Sequence, residues 1–404
     1  MIRPLLAALA LLGSLLTAPH AAAATACSTP SDFDGDGLDD VAIGDPFSGG
    51  GTVHLLSAGR TVAMTAPARQ AGDGFGWSVT LAKVDGDACA DVVVGAPFTD
   101  VDGLSDAGAV YVLYGGGAKP PRRIVSPRPQ RDAHLGWSLA ARGDLLAVGA
   151  PYEDAPLHDA GAVYVAKGEG ALRGISAESP GVQGNGEVDD LFGWSLTFAG
   201  GRRLVVGVPY ENDDGAGRQV GTGQVDSGSV VVLDDVLAPT LTSVKWDAPG
   251  EKADGHRYGF AVAYADGAGL AVSAPQARYV HLFDADLKAV RIARFEQGDG
   301  PAGVSLAVSA DGRVAVGLPY AGQERTGAVQ VISIPAGGQD RRIAPDRQPG
   351  ARFGWSLAFT GNRVVAGSPD AGNTGTITTV GRNESTVVPI SPGEGLDFGT
   401  SMAG

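Results

Sequence analysis

Cysteine is scarce in this chain, and so are cations, aromatic side chains and long apolar runs. Only two cysteines, Cys27 and Cys89, occur in 404 residues. That excludes a disulfide-scaffolded miniature domain and any zinc cluster built from cysteine alone. Thirty Lys and Arg stand against 45 Asp and Glu, for a formal charge of −15. A chain so poor in positive charge is a bad match for nucleic acid or an anionic membrane surface. Cations, basic proteins and neutral glycans suit it better. The six histidines show no HExxH or HxH spacing, and no G-x-S-x-G elbow occurs. The familiar signatures of zinc and serine hydrolases are therefore missing.

The one sustained apolar run, residues 5–16, follows Arg3 and precedes "TAPHAAAATA". It is too short to span a bilayer comfortably. With its small-residue exit it reads as a secretory signal peptide over 1–26, cleaved after Ala24 or Ala26. The expectation is an exported chain of 27–404, without a membrane span and monomeric. In an oxidising compartment Cys27 and Cys89 could pair. Two unpaired thiols and lipidation of Cys27 are the alternatives.

Glycine, by contrast, is abundant. The 62 glycines are about twice the usual share of roughly 7%. No long 3.6-residue pattern accompanies them, so the composition is all-β with many turns. The turns punctuate a repeat. "FGWSV" at 75–79 returns as "LGWSL" (135–139), "FGWSL" (192–196 and 353–357), "YGFAV" (258–262), "AGVSL" (302–306) and "FGTSM" (398–402). The first six copies in chain order lead into an apolar run ending in Gly/Ser-x-Pro, at Pro97, Pro151, Pro209, Pro275, Pro319 and Pro369. A third run then begins, usually at Gly: "GAVYV" at 108 and 161, "GSVVV" at 228, "GAVQV" at 327. The N-terminal unit has "AIGDP" and "GTVHL" but no preceding FG segment, and the final FG segment has no strand after it. Joined, they complete a unit. Seven units of about 54 residues suit four-stranded blades in a closed ring. The fold expected is an all-β, seven-bladed β-propeller closed by the C-terminal FG strand. The Trp of "GWS" is expected to fill the wedge between blades.

These motifs resemble the FG-GAP repeat of integrin α subunits and secreted bacterial proteins. The resemblance implies the propeller, calcium in some loops between first and second strands, and a role in adhesion or recognition.

The loop at 32–40, "DFDGDGLDD", has calcium-type spacing. Asp32, Asp34, Asp36, Asp40 and the Leu38 carbonyl offer most of a Ca²⁺ shell, and four carboxylates so close repel without a cation. Its twelfth position is Ile43, so it is no EF-hand. In the second unit "KVDGDACAD" places Asp85, Asp87, the Cys89 carbonyl and Asp91 similarly. There Lys83 could supply the positive charge instead of a weaker ion. The other five units have short turns, and the third unit's "RGD" at 142–144 reads as one of these.

The loops after each Pro vary most, which marks them as a candidate binding face. They hold Asp100, Asp102, Asp106, Glu153, Asp154, Asp159, Glu211, Asp213, Asp214 and Asp226. Phe98, Tyr152, Tyr210 and Tyr320 directly follow Pro there, placed either to pack or to stack on a ligand. The functional reading is a non-catalytic adhesion or recognition module for an extracellular protein or glycan. The alternative is an extracellular hydrolase or lyase with an acidic site on the same face.

Overall fold

The computed structural model describes residues 27–404 apart from 118, 213–222, 251–252, 339, 345–347, 382–384 and 389–396. The expected leader lies outside the described residues. Seven antiparallel four-stranded sheets make up the fold, and among the described residues the helical content is two three-residue 3-10 turns. Each sheet from the second to the seventh uses consecutive strands. The second, for example, runs Ser78–Ala82, Asp91–Ala96, Ala109–Leu113 and Arg122–Ile124. The first combines both ends of the chain: Ser401–Ala403, Val41–Asp45, Thr52–Ser57 and Arg60–Met64. Ala42 pairs with Ala403, Ile43 with Met402 and Gly44 with Ser401.

The second strands are buried along almost their whole length, completely so at Asp91–Ala96 and Leu145–Ala150. Both of their faces meet neighbouring sheets, which is why they read as near-continuous apolar runs, β-branched in several blades. Phe75, Leu135, Phe192, Tyr258, Phe353 and Phe398 are almost wholly buried and fill the wedges between blades. The tryptophans expected there are only half-buried. The Gly before each Trp lies at positive φ, 94° at Gly136 and 95° at Gly193. That turn leaves the preceding aromatic in the seam and puts Trp at the inner end of the blade.

The seams rest on one repeated contact. Ser138 Oγ donates to the Gly193 carbonyl of the next blade (2.7 Å). The same bond recurs from Ser78 to Gly136 (2.7 Å), Ser195 to Gly259 (2.8 Å), Ser305 to Gly354 (2.8 Å), Ser356 to Gly399 (2.5 Å) and Ser401 to Gly76 (2.7 Å). The carbonyl sits against a glycine of the preceding blade's second strand. A Cβ at Gly149 would strike the Gly193 oxygen, and a Cβ at Gly95 the Gly136 oxygen. The seam between the fifth and sixth blades departs from the pattern. Ala261 stands where Ser is expected and Ser273 where Gly is expected, and Ser273 Oγ accepts the Ala261 N–H (3.0 Å).

Two outcomes follow for thermal melts. Ser138→Ala should lose about 1 kcal/mol, the usual net worth of one hydrogen bond, whereas Gly149→Ala should lose several times more because backbone must move. The pair Ala261→Ser with Ser273→Gly should install the missing bond and raise the melting temperature. A fall would show that this seam is closed in another way.

Candidate functional site

Strands alternate in direction, so the acidic turns and the post-Pro loops emerge on opposite ends of the ring. On the first end, loop 32–40 wraps its carboxylates around its own amides. Asp32 is fully buried, with Oδ1 accepting from Gly35 (2.8 Å) and Oδ2 from Ser28 and Gly37 (3.0 Å each). Asp34 Oδ1 accepts from the Asp36 amide (3.1 Å), and Asp36 Oδ1 from the Leu38 amide (2.8 Å). Carboxylate oxygens of Asp32, Asp34 and Asp36 lie within 4.8 Å of one another. Asp40 is fully buried, and its Oδ2 takes the Phe33 amide (2.8 Å) while its Oδ1 has no hydrogen-bond partner. Burial, then the charges of Asp34 and Asp36, raise the Asp40 pKa. An orphaned carboxylate oxygen buried beside three converging carboxylates fits a hard divalent cation.

The second loop has the same skeleton and a different charge balance. Asp91 Oδ2 accepts from Val84 (2.7 Å) and Oδ1 from Gly115 (3.1 Å). Asp85 Oδ1 accepts from Asp87 (3.2 Å), and Asp87 Oδ1 from Cys89 (2.8 Å). Burial first, with the Asp85 charge adding to it, pushes Asp91 up to about 6. Lys83 Nζ donates to the Ala88 carbonyl inside the loop, and Lys119 Nζ stands 3.7 Å from Asp85 Oδ2. Cys89 is bonded to Cys27, which engages the sulfur a lipid thioether would need. Arg142 of the RGD turn pairs with Asp266 (2.6 Å), so it is tied to a neighbouring turn.

On the opposite end, the residue after each FG glycine points at one cavity of about 700 Å³. Trp77, Trp137, Trp194, Phe260, Val304, Trp355 and Thr400 each come from a different blade, so the cavity lies on the axis of the ring. The rings touch in series, with centroids 4.8 Å apart for Trp77–Trp137, 5.0 Å for Trp137–Trp194 and 5.5 Å for Trp194–Phe260. Phe47, Tyr210 and Tyr320 extend the wall outward, and Phe98 and Tyr152 brace Trp77 and Trp137 edge-on. Two guanidinium groups give the wall polar handles. Arg257 lies over Tyr210 (4.6 Å), and Arg352 lies over Trp355 (4.7 Å) while paired with Asp370. Such a surface can stack on the apolar face of a sugar, an aromatic ring or a cationic side chain. The expected wedge-filling tryptophans thus form the wall of the mouth.

Several carboxylates of the candidate binding face are engaged within their own loops. Asp100 Oδ1 accepts the Asp106 amide (3.2 Å), and Asp154 Oδ1 the Asp159 amide (3.1 Å). The Asp226 amide likewise finds Asn212 Oδ1 (3.0 Å). Three blades thus close their loops alike, with Asp106, Asp159 and Asp226 at φ near 50°. Asp102 is exposed, and Asp159 and Asp189 both flank His158 (3.3 and 3.5 Å). Glu153 and Glu211 are not on the face at all. Glu153 is buried against Tyr164 Oη (2.8 Å to each oxygen), and Glu211 against Ser229 Oγ (3.0 Å) and Lys245. Burial raises the pKa of both. Asp213 and Asp214 lie outside the described residues.

Sequence reading missed a buried carboxyl beside Glu211. Asp190 accepts the Glu187 amide (2.7 Å) through Oδ2, and its buried Oδ1 has no hydrogen-bond partner. Burial, then the Glu211 and Glu187 charges, push it up to about 8 despite Lys245. Only the fold brings these residues together, so no local motif announces them. An unfolded Asp titrates near about 4. Between there and about 8 the folded state holds the extra proton, so this group's contribution to stability falls as pH rises. Asp190→Asn should remove that decline. Melting temperatures of the two proteins should diverge from pH 5 to pH 9, with the wild type losing ground; parallel curves would mean that Asp190 does not titrate there.

Comparison with known proteins agrees with the repeat architecture. Family models described as the FG-GAP repeat match residues 28–56 and 75–113, and residues 123–166. Integrin alpha-PS2 of Drosophila melanogaster is 37% identical over 155 residues, covering 34% of this chain and 11% of that protein. Integrin alpha pat-2 of Caenorhabditis elegans is 30% identical over 249 residues, covering 52% of this chain and 18% of that protein. The matches thus span less than a fifth of these relatives' lengths. Among solved structures, a putative 6-phosphogluconolactonase from Bacteroides uniformis superposes with a TM-score of 0.56 at 10% identity, over 90% of this chain and 98% of that one. At that identity the likeness is one of fold.

Proposed function

This chain is an FG-GAP-repeat β-propeller of the integrin-α-like kind, and from that premise we propose that it is an extracellular recognition module, holding calcium in loop 32–40 and taking a protein or glycan partner into the aromatic mouth of the ring. One observation carries the reading: seven equivalent positions, one from each blade, converge on a single cavity, and five of them are aromatic. Structural packing alone would use these side chains in the seams, where the FG aromatics already sit. Half-buried rings facing a common opening offer stacking surface instead. The disulfide supports an oxidising compartment. Among the described residues no helix is long and apolar enough to cross a membrane.

Asp32, Asp34, Asp36, Asp40 and the Leu38 carbonyl would hold the calcium. When bound, it supplies the divalent charge that four neighbouring carboxylates require. The chain's own residues prepare the place. The Gly35, Gly37 and Ser28 amides fix Asp32, and Ser57 Oγ steadies Asp36 Oδ2 (3.1 Å). In the second loop the Lys83 and Lys119 ammonium groups take on part of that role.

Glycan and surface-protein arrays, run with and without EDTA beside thermal melts, test both halves. Trp137→Ala combined with Trp194→Ala should weaken capture about thirtyfold, the loss typical of truncating central aromatic contacts. It should also lower the melting temperature through the lost ring contacts, so capture is read at a temperature where the variant is folded. Unchanged capture would place the partner elsewhere. Calcium at about a hundred times its Kd should add roughly 2.7 kcal/mol of stability. EDTA should remove that gain in the wild type and do nothing to Asp34→Asn; a melt indifferent to EDTA would exclude calcium from the loop.

A further inference from the structure

Residues 27–40 enter the fold without a strand partner, since the first strand begins at Val41. What holds this lead-in is the second loop and the residues beside it. Ala90 donates to the Asp32 carbonyl (2.8 Å), Gly116 donates to the Phe33 carbonyl (2.9 Å), and Cys27 is bonded to Cys89 with Cα atoms 4.9 Å apart. The bond matters for one carboxylate in particular. Asp32 Oδ2 accepts from two amides, and one of them belongs to Ser28, next to Cys27. Ser28 Oγ also lies 3.5 Å from the Gly37 carbonyl. The disulfide therefore fixes the residue that orients the first ligand of the loop. At its other end stands a loop already partly balanced by Lys83 and Lys119, which can serve as a rigid anchor without a metal of its own.

We propose that the Cys27–Cys89 disulfide is a positioning element of the metal loop: it clamps the Ser28 amide to Asp32 and joins the two acidic loops into one unit, so that oxidation arms loop 32–40 for calcium. The inference rests on the calcium reading above. Reduction by a dithiol transfers two electrons and two protons to the sulfur pair, leaving two thiols, and closes the dithiol to its own disulfide. The lead-in then loses its covalent tie, and binding must re-order it at the expense of affinity. A reducing compartment would leave the loop weakly loaded, and an oxidising one would ready it.

Calorimetric calcium titrations of three full-length samples test this: the oxidised protein, the same protein reduced by dithiothreitol after folding, and the C27A/C89A double variant. Both samples without the disulfide should bind about tenfold more weakly, the factor for re-ordering roughly one residue of backbone. Hydrogen exchange without calcium should quicken in 28–40 and leave the other blades unchanged. Equal Kd in all three samples would overturn the positioning role while leaving the calcium site intact. Exchange quickening over the whole ring would overturn it too, by making the bond a global staple. If the oxidised protein takes up no calcium, the metal reading itself fails and the proposal with it.

Discussion

Everything in this protein is hung on the approach of one backbone carbonyl to one glycine. At most seams an FG glycine presents its oxygen to a glycine of the preceding blade, and a serine hydroxyl from that blade donates to it. Packing so close leaves no room for a Cβ, and the hydroxyl satisfies an oxygen that would otherwise be buried without a partner. The contact fixes the spacing of neighbouring inner strands. It also fixes how blades rotate about the axis, and so how large the central opening is. The two seams that flank the spliced blade use the chain's own C-terminal segment, where Ser356 bonds Gly399 and Ser401 bonds Gly76. Closure covers the inner edge of Val41–Asp45, which would otherwise be open to pairing with another chain.

With the frame fixed in this way, each position of the repeat becomes a seven-fold set of places, and the chain varies what it puts there. The residue after the FG glycine is aromatic in five blades and Val304 or Thr400 in the others, which gives the mouth one less aromatic side. The turn between first and second strands is a carboxylate loop in one blade, a partly lysine-balanced loop in the next and a short hairpin elsewhere. The two ends of the ring thus carry different chemistry for a plain topological reason. Successive connections of an antiparallel sheet alternate sides, so the carboxylate turns and the variable loops never share a face.

The repeat was legible because each of its letters answers to a backbone need: glycine for the seam, proline for the strand exit, β-branched residues for a strand buried on both faces. The carboxylate cluster of loop 32–40 was legible for a similar reason, since Asp32, Asp34 and Asp36 are close in sequence and their spacing brings their oxygens together. The tryptophans were misread. Composition places a large aromatic in a core, and nothing local says that the glycine before it turns the side chain toward the axis. Glu153 and Glu211 were misread as surface acids because Tyr164, Ser229 and Lys245, which bury them, lie on later strands of the same blades, 11 to 34 residues on. Asp190 gave no local sign at all.

Sequence by itself determined the class of fold, the count of blades, the splice between the two ends and the acidic loop, all of which depend on residues a few positions apart repeated in register. Tertiary structure alone decided which side chains face the axis, which carboxylates are free or buried, and that Cys27 reaches Cys89 across 62 residues. Those are properties of neighbours brought together from separate strands, some within one blade and some from different blades. The positions of those neighbours follow from ring curvature and seam geometry, and no single stretch of chain carries that information.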